Sequence, residues 1–132
     1  MVLFKAMKAE FQTNCAEMES DECLFIRLSG ELEVDTLRVI LKRADSLIDR
    51  MKKEQKQARV LVDVEQLETV KLESRKYGVN WLRKSHYDRI SVYGKNTFMK
   101  YFVNMLVSVL DNNMRYFDNK QEAQKWLQKQ RA

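Results

Sequence analysis

Residues 59–64 read RVLVDV, a short run dominated by valine and leucine with no polar alternation. Continuous β-branched and leucine content of this kind marks a buried strand, since a half-exposed strand would alternate apolar and polar residues. Downstream, residues 65–71 read as a loop into a helix that ends near His86, with Leu72, Tyr77 or Val79, Trp81 and Leu82 on its core face. RISVY at 89–93 is another strand, closed by Gly94. A helix over 97–112 follows, with Asn96 or Thr97 as cap. Residues 114–117 form a last short strand. Asp118 then caps a final helix, with Gln121 three residues on in capping-box spacing and Ala123, Trp126 and Leu127 as its apolar stripe.

Upstream of RVLVDV, Leu37, Ile40, Leu41, Ala44, Leu47, Ile48 and Met51 recur at three- and four-residue steps. That spacing predicts an amphipathic helix over 35–53, with Asp35 as cap and a basic last turn suited to the helix dipole. Before it, residues 5–17, with Phe11 and Thr13 on one face, and LFIRL at 24–28 read as two strands of a tight antiparallel hairpin. Ser29-Gly30 is expected to close the second strand. After the hairpin, strands and helices alternate, which argues for right-handed crossovers. The expected fold is therefore α/β: a mixed, mainly parallel five-stranded sheet with an N-terminal antiparallel hairpin and about four helices.

The 132 residues suffice for one core, and a single domain over 1–132 is expected. No proline and only three glycines leave little room for irregular loops. The longest apolar run, 98–110, is broken by Lys100, Asn104 and Ser108 and is too short to span a bilayer. Residues 1–8 are too charged for a signal peptide. A cytoplasmic protein that is not an integral membrane protein is expected, with Cys15 and Cys23 as free thiols flanking a turn and able to face each other across the hairpin. The net charge of +5 divides into −4 over residues 1–41 and +9 over 42–132. A basic face of this kind attracts anions, but lysine-rich helix faces are ordinarily just solvated.

Three stretches resemble the STAS domain family, named for sulphate transporters and anti-sigma-factor antagonists, and in particular its small bacterial SpoIIAA-like members: RVLVDVEQLETV at 59–70, RISVYGKN at 89–96 and MRYFDNKQEAQKWL at 114–127. The resemblance spans roughly residues 8–128. It implies the same sheet and a regulatory protein that works by contact; the fold is also shared with CRAL-TRIO lipid carriers. Anti-sigma-factor antagonists carry a phosphorylated serine in an Asp-Ser-(Ser/Thr)-Gly stretch after the central strand. Here the chain reads Val70-Lys71-Leu72-Glu73-Ser74. Ser74 is the nearest counterpart, but it lacks both the Asp-Ser before it and the glycine after it, which argues against a phospho-switch.

Catalytic chemistry finds little support. His86 is the only histidine and stands at a helix end, where it is a surface group rather than a base. Asp63 and Glu65 lie at the end of the central strand, where α/β sheets often place functional groups but also ordinary capping aspartates. Gly94-Lys95-Asn96-Thr97 lacks the spaced glycines of a phosphate loop. Tyr77, Tyr87 and Tyr93 accompany Arg75, Lys76, Arg83, Lys84 and Arg89, yet no nucleic-acid motif frames them. Two cysteines and one distant histidine are too few for a zinc site. No catalytic residue, metal, cofactor or nucleic-acid partner is expected.

The segment FMKYFVNMLVSVL at 98–110 is the most unusual. Only Lys100, Asn104, Ser108 and Asp111 interrupt its helical surface, leaving an apolar arc about twice the ~100° that one sheet face covers. The surplus is met by burial under neighbouring helices, by a protein partner or second copy, or by an apolar small molecule in a pocket. Phe98, Met99, Tyr101, Phe102, Met105, Leu106 and Val109 are the candidate contact residues for the last two.

Overall fold

The computed structural model of the protein describes residues 14–110 and 113–129. Its elements run β1 (Cys15–Ser20), β2 (Cys23–Leu32), α1 (Val34–Lys53), β3 (Arg59–Val70), α2 (Leu72–Lys84), β4 (Arg89–Tyr93), α3 (Thr97–Leu110), β5 (Met114–Phe117) and α4 (Lys120–Gln128). The sheet has the order β1-β2-β3-β4-β5. β1 pairs antiparallel with β2, and every later pair is parallel. This is the mixed, mainly parallel α/β fold expected.

The topology dictates where the helices lie. From β2 to β5 the chain advances one strand at a time in one direction, and right-handed crossovers then place every connecting helix on the same face. α1, α2 and α3 accordingly share one layer. Its core joins Leu37, Ile40, Leu41, Ala44, Ile48 and Met51 of α1 and Met99, Val103 and Leu106 of α3 to Leu24, Ile26, Val60, Ile90, Val92 and Met114 of the sheet. α4 follows β5 and covers the opposite face, packing Ala123 and Leu127 on Phe25, Leu61 and Tyr93. Truncating a buried leucine such as Leu37 to alanine would cost about 2–5 kcal/mol.

Several boundaries differ from the sequence reading. β2 does not stop at Ser29-Gly30. Gly30 takes φ +63, and the ladder shifts register between Arg27 and Ser29 and again between Gly30 and Glu31, so the strand bends through a bulge and continues to Leu32. Its extension needs a partner, and residues 65–70, expected as a loop, supply it: Ser29 aligns with Gln66, Gly30 with Leu67 and Leu32 with Val70. Glu33, not Asp35, holds the cap position of α1, without a side-chain cap. In α4 the cap is Asn119, whose side chain accepts from the Glu122 N–H at 3.0 Å, one residue beyond the expected Asp118. Cys15 aligns with Arg27 and Ser20 with Cys23, so the cysteines do not face one another; both are free. Leu72, expected in the core, is exposed. Phe11 and Thr13 of the expected first strand, and residues 111–112 of the expected third helix, lie outside the described residues.

Candidate functional site

α3 is anchored at its start. Asn96 Oδ1 accepts from the Met99 N–H at 3.0 Å, an N-cap that satisfies one of the helix's unpaired donors. Asn96 Nδ2 donates to the Leu67 carbonyl at 2.9 Å, and the Tyr116 hydroxyl donates to the Asn96 carbonyl at 3.3 Å. The cap thus ties the helix to the far end of β3 and to β5. Of the two expected caps, Asn96 is the one used.

The candidate residues divide into two sets. Met99 and Leu106 are buried against the sheet together with Val103, and Phe102 is half-buried beside them. Phe98, Tyr101, Met105 and Val109 are 45%, 71%, 51% and 67% exposed. Their spacing of three, four and four residues aligns them in one stripe, about 80° of arc at 3.6 residues per turn. The described parts of the chain leave this surplus apolar arc uncovered. Large apolar side chains in one contiguous row mean more than scattered ones, because a single exposed leucine or valine needs no explanation.

Behind the inner face lies an apolar cavity of about 110 Å³ between the sheet, α2 and α3. Met99, Phe102 and Leu106 form its α3 wall, and Gly78, Val79 and Trp81 form part of its α2 wall. It exists because α2 does not settle on the sheet. Among the residues of α2, Ser74 alone is fully buried, whereas Tyr77, Val79, Trp81 and Leu82 are half-buried. The α2 wall was not legible as such in the sequence; its one signal was a weak apolar face interrupted by Gly78.

The remaining candidates stand apart from α3's outer stripe. Ser74 is 1% exposed, and its hydroxyl donates to the Leu32 carbonyl at 2.7 Å. That contact pins the first turn of α2 to the end of β2. Asp63 lies on the α4 face, where Arg27 Nε donates to its Oδ2 at 3.1 Å and the Glu65 N–H donates to its Oδ1 at 2.8 Å. Tyr93, buried beside it, has its hydroxyl pushed far above the usual phenol range by burial, then by the negative charge of Asp63. This cluster ties three neighbouring strands together. His86 is exposed in the segment between α2 and β4. Among the described residues, no three His, Cys, Asp or Glu side chains gather as a metal site, and no helix is long and apolar enough to cross a membrane.

Comparison with known proteins agrees with this architecture. A SpoIIAA-like family profile matches residues 23–128. No curated protein sequence matches the chain. The anti-sigma factor antagonist SpoIIAA in its unphosphorylated form is 15% identical, with a TM-score of 0.61 over 85% of this chain and 94% of that one. An uncharacterised protein from the DUF3478 family with a SpoIIAA-like fold, from Shewanella loihica PV-4, is 14% identical, with a TM-score of 0.57 over 86% of this chain and 91% of that one. At such identities the two structures speak for the fold alone. The profile covers most of the chain, from the start of β2 to the end of α4, and so the protein belongs to the SpoIIAA-like family.

Proposed function

We propose that this protein is a non-catalytic regulatory module of the cytoplasm that works by protein contact, with the outer face of α3 as the contact surface and a second copy of the chain as its partner. The carrying observation is the exposed row Phe98, Tyr101, Met105 and Val109. One structural neighbour, SpoIIAA, is by name an antagonist of an anti-sigma factor, which fits a contact role. A twofold pairing suits the charges on α3. With the twofold axis perpendicular to α3 the two helices run antiparallel and Lys100 of each lies opposite the Ser108 end of the other, so like charges do not meet.

Magnitudes set the expected strength. Finishing the burial of four half-exposed side chains on each copy contributes about 8–12 kcal/mol, at roughly 1–1.5 kcal/mol each. Association costs about 4 kcal/mol or more. At the smallest such cost the remainder corresponds to a Kd roughly between micromolar and millimolar. Light scattering across that range should show a monomer giving way to a dimer, and Tyr101→Glu or Val109→Glu should hold the protein monomeric. A wild-type chain that stays monomeric at the top of the range removes the self-pairing proposal.

A second reading, a carrier or sensor of an apolar small molecule beside α3, is favoured by the cavity of about 110 Å³. Native mass spectrometry of protein purified from cells should then reveal an added mass that heat or organic solvent removes. A clean mass of the bare chain in every preparation argues against it.

A further inference from the structure

α2 leans to one side of its layer. Trp81 donates its indole N–H to Asp45 of α1 at 2.7 Å, and the Arg38 guanidinium carbon of α1 sits 5.4 Å from the centre of the Tyr77 ring. α2 therefore packs on α1 and barely meets α3, which leaves a groove between α2 and α3. The flank turned to α3 is fixed by Arg75, whose Nε donates to the Val70 carbonyl at 3.1 Å and whose guanidinium carbon sits 5.3 Å from the centre of the Phe98 ring. At about 100° per residue, Val79 and Arg83 follow Arg75 one turn apart along this flank, with Lys76 on its outer edge. Across the groove, Phe98, Met105 and Val109 lie within about 60° of Phe102, on the side of α3 nearest α2. The apolar cavity, lined by Val79, Leu82 and Phe102 among others, is the floor.

The charges beside this groove are of one sign. α3 holds no Asp or Glu over 97–110, and α2 holds only Glu73 over 72–84. Among the described residues, Arg75, Lys76 and Arg83 form no salt bridge. The α3 of a second copy brings no carboxylate over 97–110 either, so self-pairing leaves these three cations uncompensated. The backbones of α2 and α3 are paired within their own helices, so an occupant of the groove must satisfy its own backbone, as a helix does. We propose that the groove takes an acidic amphipathic helix of a protein partner, its apolar stripe on Phe98, Met105 and Val79 and its Asp and Glu side chains on Arg75, Lys76 and Arg83. The wall from Phe98 to Val109 spans about 16 Å, enough for roughly three turns. This partner goes beyond the second copy and competes with it, because both cover Phe98 and Met105.

Two labelled peptides of about fifteen residues test this, each with leucines along one helical face, flanked by Glu in one and by Lys in its twin. In fluorescence anisotropy with the full chain, the Glu peptide should bind about tenfold more tightly than the Lys twin, and about 0.5 M salt should erase that advantage. Bound Glu peptide should also convert any dimer to a one-to-one complex in light scattering. Lys76→Glu combined with Arg83→Glu, both at exposed positions, should reverse the preference while circular dichroism stays that of the wild type. No binding of the Glu peptide at about 1 mM chain overturns the inference, as does equal affinity for the twins or a Glu preference that survives the double substitution. A dimer that persists with the peptide bound places the peptide elsewhere and overturns it too. Capture of the chain by phosphatidylserine vesicles, with no binding of the Glu peptide, assigns the cations to a membrane surface and does the same. A chain that dimerises but ignores the peptide removes this inference alone; one that binds the peptide but never dimerises removes the self-pairing alone.

Discussion

Phe98 stacks on Phe102, their ring centres 5.7 Å apart and their planes 14° from parallel, although the two rings belong to different surfaces. Phe98 is part of the exposed row on α3, and Phe102 lines the cavity. The stack joins the contact surface to the interior, because a shift of Phe102 removes the support under Phe98. One helix therefore serves both proposed roles, and its two apolar faces meet at this pair.

The hydroxyl of Ser74 holds α2 to β2 through the Leu32 carbonyl. Ser74→Ala should lower stability by about 1 kcal/mol, the net worth of one hydrogen bond. Ser74→Asp should cost about 3–5 kcal/mol, since it buries an unpaired carboxylate against a carbonyl oxygen. Urea unfolding of both variants measures the difference. Equal stability would mean that the site opens to water and can accept a phosphate without unfolding.

Asp63 is nearly buried, while its partner Arg27 has 38% of its side chain exposed. Solvent screening at the arginine weakens the pair, so Asp63→Asn should cost about 1–3 kcal/mol, less than a fully buried pair would. Asparagine keeps one oxygen for the Glu65 N–H, so most of that loss falls on the charge-assisted bond with Arg27. Chemical denaturation checks it, and an unchanged midpoint would show that the cluster does not hold the strands.

Gly94 follows β4 with φ +156, where a Cβ would lie 3.0 Å from Val64 Cγ2 and 3.1 Å from the Glu65 nitrogen. Backbone atoms cannot yield as a flexible side chain would. Gly94→Ala should therefore destabilise the fold by about 1–3 kcal/mol. Thermal melting tests this, and a variant as stable as wild type would contradict the close approach.

Burial pushes the Cys23 thiol up to about 12, helped by the negative charge of Glu19 and a hydrogen bond to it. At pH 8 the folded protein then carries roughly a thousandfold less thiolate at Cys23 than the unfolded chain. Iodoacetamide should label Cys23 slowly, with a rate still climbing beyond pH 10. Because the folded-state value is raised above the ordinary 9.0, the stability it contributes is complete below pH 9 and is lost between pH 9 and about 12. A labelling rate that levels off near pH 9 would refute the burial.

Much of the fold was legible in the sequence where one face decided the pattern. The three- and four-residue steps of α1 reflect burial against the sheet and the apolar run of RVLVDV burial on both of its faces; the helix and the strand lie where those patterns put them, though the strand runs on to Val70. The errors arose where tertiary pairing overrode local signals. Ser29-Gly30 looks like a turn, but a bulge at Gly30 lets β2 continue, and that continuation draws residues 65–70 into the sheet. Leu72 looks like core, but it stands in the first turn of a helix that bridges a cavity and points away from it. The excess apolar arc of α3 was readable from composition and spacing. Arg75 as a group on the cavity wall was not, because nothing local to 71–75 reveals that α2 stays off the sheet.

Hydroxyl-radical footprinting over a dilution series, from about 10 μM to about 1 mM, tests the central claim most directly. Buried Met99 and exposed Val39 are the internal controls, 9% and 70% exposed. The account predicts that Phe98, Tyr101 and Met105 lose reactivity together as concentration rises, while Val39 stays reactive and Met99 stays protected. Full reactivity of all three at the highest concentration would contradict it.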